Sequence, residues 1–183
     1  TNRNLPYFTD RIFALGRRTN LSLHNYTTFQ NLVALPLVGV LGVVTTFNVV
    51  YLLMTVLTGY MGFLLARHVT GRTAESWLAG LVFAWCPTLV TRGMAHFSLV
   101  AAAPLAAFLL VLLRSTERQR SRDALLLGAA MWWAASTDVY FAVYCLLIAI
   151  VFFATRMMTV GRTPATLRPA VPWPLDALLV SVA

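Results

Sequence analysis

"LVALPLVGVLGVVTTFNVVYLLMTVLTGYMGFLLA", residues 32–66, contains no charged side chain. Wound as one helix it would be about 50 Å long, against a bilayer hydrocarbon core of about 30 Å. Gly39, Gly42 and the polar "TTFN" at 45–48 offer a place to break it. The economical reading is an interfacial helix near 30–43, followed by a membrane span over 46–66.

The rest of the chain repeats the pattern. Hydrophobic residues make up 59% of the sequence and charged residues 11%, and the mean hydropathy is +0.74. Soluble domains carry about a quarter of their residues as charges, so this composition excludes an ordinary water-soluble fold. Further spans are expected over 77–91, which contains Pro87, and over 98–113, 124–137 and 139–155. "WPLDALLVSVA" (173–183) begins another. The hydrophilic stretches "ARHVTGRTAES" (66–76), "RGMAHFS" (92–98), "RSTERQRSRD" (114–123) and "RMMTVGRTPATLRP" (156–169) separate them. The fold class is therefore all-α: a polytopic transmembrane helical bundle of about five spans plus the start of a sixth. Residues 1–31 read as an extracytoplasmic loop segment and 32–183 as one transmembrane helical domain truncated at both ends. The chain is expected to be an internal piece of a longer protein.

The formal charge of +8 comes entirely from arginine among the basic residues, with a pI near 10.5. Nucleic-acid binding needs a continuous basic face, and none is visible, so no nucleic-acid partner is expected. Nine of the arginines fall in the loops 67–75, 114–123 and 156–168, which share one parity. The turns of opposite parity hold only Arg92. Positive charge accumulates in cytoplasmic loops, so the nine-arginine side is expected to be cytoplasmic, and the lipid bilayer is the first partner. The N-terminal arginines Arg3, Arg11, Arg17 and Arg18 run against the rule, which means either a different span count or an anion handled on the outer face.

On that topology Asp10, Arg11, His24, Arg92, His96 and Asp138 gather at the outer side. Ionisable groups at membrane depth are costly and tend to face a cavity or a partner. Each also has a plainer explanation. Asp138 lies in "STD", and Ser, Thr and Asp are preferred helix N-caps. A cap is needed there, because 124–155 as one helix would measure about 48 Å. Arg92 can snorkel to headgroups, His96 can sit at the water interface, and Asp10–Arg11 can be a solvated pair. Trp77 and Trp173 fit interfacial belts, while the deeper Trp132 and Trp133 read as packing. Gly59 and Gly62 with Ala66 permit close helix approach. Cys86 and Cys145 lie in apolar runs and read as packing material. No phosphate-binding glycine loop, G-x-S-x-G or metal-ligand motif is visible. The sequence leaves open whether a divalent cation takes part.

Four stretches carry a resemblance: "NLPYFTDRIFALGRRTNLSLHNYTTFQNLVALPL" (4–37), "FNVVYLLMTVLTGYMGFLLARHVTG" (47–71), "LAGLVFAWCPTLVTRGMAHFSLVAAAPLAAFLLVLLR" (78–114) and "TDVYFAVYC" (137–145). In order and spacing they resemble bacterial polytopic proteins of the GT-C glycosyltransferase superfamily. The resemblance implies an inner-membrane, multi-pass protein whose active site opens to the extracytoplasmic face. The donor would be a lipid-linked sugar on polyprenyl phosphate, and an aspartate would serve as general base. Arginine and histidine would stabilise the departing phosphate. Asp138 and Asp10 are then the candidate catalytic carboxylates. His96, Arg92, Arg11, His24 and Tyr140 are candidate substrate-binding residues, Tyr140 through an acid–aromatic pair with Asp138. The family's usual base lies nearer the end of a first span, so this piece alone is expected to bind a donor without turning it over. A polytopic transporter or lipid flippase, and a non-catalytic membrane assembly protein, are the alternatives.

Overall fold

The computed structural model describes residues 8–9, 19–20, 27–93, 97–118 and 121–160. Apart from one two-residue antiparallel pair, β1 (Phe8–Thr9) with β2 (Thr19–Asn20), its regular elements are helices. They are α1 (Thr28–Thr70), α2 (Thr73–Ala84), α3 (Pro87–Gly93), α4 (Phe97–Val100), α5 (Ala103–Arg118), α6 (Ser121–Thr137) and α7 (Val139–Val160).

The uncharged run does break. Inside α1, Gly42 has φ 72° and ψ 168°, a region open essentially to glycine alone. The consequence is a fold-back. In a straight helix Val33 and Met54 would stand about 30 Å apart. Instead Phe29, Val33, Ala34 and Leu37 pack against the cluster of Val50, Met54 and Ala101. The segment 28–41 is thus an arm laid back on the bundle. Its other face exposes Leu32, Leu35, Val38 and Val40. From Leu32 onward the exposed side chains of the arm are hydrocarbon, which suits lipid rather than water.

Beyond the break, α1 continues to Gly71, whose N–H bonds the Arg67 carbonyl at 2.9 Å. Arg67 and His68 occupy the last turn, where cations favour the helix dipole. The chain reverses and α2 runs back along α1 as the most extensive helix pair. Contact between them is backbone-close: a Cβ on Gly80 would come within 2.5 Å of the Gly59 carbonyl oxygen. Phe63 stacks on Trp77 with ring centroids 4.7 Å apart. Threonines inside α1 lose little in this setting, because Thr55 and Thr58 donate to the carbonyls of Tyr51 and Met54, one turn back.

Helix α5 is the centre. It packs on α1, α6 and α7. With Phe108, Leu112, Leu127, Ala134, Phe141 and Cys145 it forms the main core. Cys145 is a fully buried thiol and Cys86 a partly buried one, and neither is in a disulfide.

Three stretches among the described residues are long and apolar enough to cross a membrane: Thr28–Thr70, Phe97–Thr116 and Val139–Met158. The protein is therefore a helical, membrane-associated one. The expectation of five spans is met only in these three. Helix α2 stops at Ala84, ahead of the Trp85–Cys86–Pro87 break, and its 12 residues reach about 18 Å. Helix α6, with 17 residues, reaches about 26 Å, short of the hydrocarbon thickness. The expected sixth span lies outside the described residues.

Candidate functional site

The chain turns at Asp138, the single residue between α6 and α7. The Asp138 N–H closes α6 on the Ala134 carbonyl at 3.0 Å, and the Asp138 carbonyl accepts from Phe141 N–H at 3.0 Å. Its side-chain Oδ1 accepts from the Tyr140 N–H at 2.9 Å. This is N-cap geometry at the start of a 22-residue helix. The Asp138 side chain is 0% exposed. Tyr140 contributes its backbone, whereas its side chain is 62% exposed, so the ring does not share the buried corner.

Arg67, Arg72, Arg114, Arg122 and Arg156 mark the opposite end of the helices, and Asp138 lies about 24 Å along α6 from Arg122. Arg92 belongs to α3, next to Gly93, which packs against the Tyr51 hydroxyl and Val100. Phe97 stacks between Phe47 and Tyr51, at 4.8 and 6.1 Å. Asp10, Arg11, His24 and His96 lie outside the described residues. Of the expected set, the structure therefore places Asp138 and Tyr140 in one corner, and the backbone of Arg92 on a separate short helix.

Other polar residues join Asp138 in the interior away from the arginine end. Gln30, Thr46, Thr58, Ser98 and Thr137 are all buried. Thr58 Oγ1 lies 2.8 Å from the Met54 carbonyl and 3.1 Å from that of Val100. Gln30 Nε2 and Oε1, Thr46 Oγ1 and Thr137 Oγ1 meet no hydrogen-bond partner. A buried polar atom left so costs about 1–3 kcal/mol. None of these three was a candidate site residue in the sequence. The available signal was the fourfold spacing of Thr46, Val50, Met54 and Thr58, which puts two hydroxyls on one buried face. Gln30 gave no signal, because its burial arises from the fold-back of the arm.

Trp133, one turn before Thr137, holds the arm: its ring lies 5.4 Å from that of Phe29. Trp132 faces outward. A separate groove of about 350 Å³ runs between α1 and α2, lined by Leu52, Val56, Gly59, Trp77, Leu81 and Trp85. Tyr60 and Thr55 are its hydroxyl-bearing lining residues and no charged side chain lines it, so it suits hydrocarbon. Among the described residues no three His, Cys, Asp or Glu side chains are grouped so as to hold a metal ion.

Residues 31–182 match a family described as a domain of unknown function, DUF6311. The chain belongs to the DUF6311 family. No curated protein and no solved structure matches it. The DUF6311 match takes in most of the arm, the hinge at Gly42, the core on α5 and the Asp138 corner. Asp10, Arg11 and His24 precede it.

Proposed function

We propose that the chain is part of an integral-membrane glycosyltransferase of the bacterial inner membrane, with its site on the side away from the arginine-rich end. It moves a sugar from a polyprenyl-phosphate carrier to an acceptor hydroxyl. The observation that carries this reading is the buried carboxylate of Asp138 at a helix corner, on the far side of the bundle from the clustered arginines. The GT-C-like order of sequence stretches supports it.

In the reaction, a carboxylate accepts the acceptor's hydroxyl proton as that oxygen attacks the anomeric carbon. The bond from that carbon to the phosphate oxygen breaks, and polyprenyl phosphate leaves with the electron pair. Asp138 is the described carboxylate best placed for the first task, and Asp10 is the second candidate. Arg92, Arg11, His24 and His96 are the cationic or protonatable groups assigned to the phosphate.

A second reading is a carrier of an intact lipid-linked substrate across the membrane. It is favoured by the breaks at Gly42, Trp85–Cys86 and Ala101–Ala102, since discontinuous helices commonly build transport sites. The test is an assay of the full-length protein in vesicles containing polyprenyl-phosphate sugars, with products identified by mass spectrometry. Transfer shortens the donor to polyprenyl phosphate and glycosylates an acceptor, and Asp138→Asn lowers that turnover at normal expression. A donor moved between leaflets unchanged overturns the transferase reading in favour of the carrier.

A further inference from the structure

We infer that the arm 28–41 is a hinged cover over the Asp138 corner, and that Gln30 on its inner face is its contact with a hydroxyl-bearing headgroup. The chemistry of that headgroup rests on the glycosyl-carrier reading; the cover does not.

Three observations converge. The arm joins the bundle through Gly42, whose φ 72° and ψ 168° only glycine holds without strain, and a Cβ built there meets nothing within 4 Å. The joint is a backbone pivot in open surroundings. Next, the arm reaches to within one turn of the corner: Phe29 packs on Trp133, and one turn further along α6 come Thr137 and Asp138. Last, Gln30, adjacent to Phe29, is 1% exposed, with both its carboxamide nitrogen and oxygen unpartnered, and the Thr137 hydroxyl is likewise buried and unpartnered.

A helix laid down only to fill space would place Leu or Met at position 30. A carboxamide there offers two donors and two acceptor sites, and the covered state uses none of them. Those groups are satisfied when the arm lifts, or when a ligand rich in hydroxyls lies beneath it. A hydroxyl matches an amide that both donates and accepts. A bare phosphate would use the donors and leave the acceptor unmet. The cover thus holds hydrogen-bonding capacity in reserve for a polyol headgroup.

The experiment uses the full-length protein in nanodiscs, with Cys86→Ser and Cys145→Ala, and reads the alkylation rate of Thr137→Cys by N-ethylmaleimide. Gly42→Ala displaces the arm and raises that rate roughly tenfold, because opening sets exposure. Gly39→Ala leaves it unchanged. Gln30→Leu removes the unmet groups at similar shape, so it slows alkylation several-fold and leaves thermal stability equal or higher. Octyl glucoside slows alkylation with Gln30 present and loses that effect in Gln30→Leu, whereas octyl phosphate slows neither. An alkylation rate indifferent to Gly42→Ala overturns the cover. Should that variant not fold, a loss of stability in Gln30→Leu overturns it instead. Protection by octyl phosphate alone overturns the hydroxyl assignment. None of these readings requires turnover, so failure of the transferase assay is seen separately.

Discussion

The Tyr140 backbone N–H donates to Asp138 Oδ1 at 2.9 Å, while the Tyr140 ring points out of the bundle. The carboxylate is thereby fixed by the backbone of the helix it starts. A cap and a buried acid are the same atoms here, and the two roles separate by substitution. Asp138→Ala removes the cap and should cost about 1 kcal/mol of stability, whereas Asp138→Asn should cost little, because Asn caps about as well. Thermal unfolding in detergent measures the difference. Equal melting of the two variants would deny the capping role.

Gly80 and Gly39 predict opposite outcomes for the same change. Gly80→Ala pushes a methyl against the Gly59 carbonyl oxygen and should lower stability by about 1–3 kcal/mol as α1 and α2 separate. Gly39→Ala meets nothing within 4 Å and should be neutral or stabilising by about 0.5–1 kcal/mol through helix propensity. Chemical denaturation of both variants side by side is the check.

Thr58 ties α1 to the last residue of α4. Its hydroxyl lies within reach of both the Met54 and Val100 carbonyls. Thr58→Val keeps the shape and removes the hydroxyl, with an expected cost of about 0.5–1.5 kcal/mol, because the Val100 oxygen keeps the Ala102 N–H at 2.9 Å. Thr58→Ser should retain most of the stability. Equal loss in both variants would mean that the methyl packing, rather than the hydroxyl, holds this junction.

Val139 and Arg122 sit at opposite ends of the α6–α7 pair and are both exposed. Single cysteines at these positions should react with a membrane-impermeant maleimide from opposite sides of sealed vesicles. Val139→Cys should label from the extracytoplasmic side. Labelling of both from one side would show that α6 does not traverse the bilayer.

The helical class, the break at Gly42 and the cap at Asp138 were legible because each depends on chemistry within a few residues. An uncharged run too long for one span, a glycine in its middle and "STD" before an apolar stretch each point to one answer. The span count was not legible in the same way. Helix α2 ends at Ala84, before Pro87, and α6 has 17 residues, at the lower limit of a span, so apolar runs alone do not count the spans. Gln30 and Thr137 became notable only through tertiary burial, which no local periodicity reports. The Asp138–Tyr140 pairing was expected through side chains and is made through the Tyr140 backbone instead.

Of the most apolar 18 residues on α4–α5, 61% are buried, against 11% in the corresponding part of α1 and 17% in that of α7. During biosynthesis α1 and α2 can therefore close on their glycines as soon as both have left the ribosome, while α5 must wait for partners on either side. Among the described helices α7 is made after α5, so α5 completes its contacts only once α7 is in place. A substitution on α5 would then harm assembly before it harmed the finished protein.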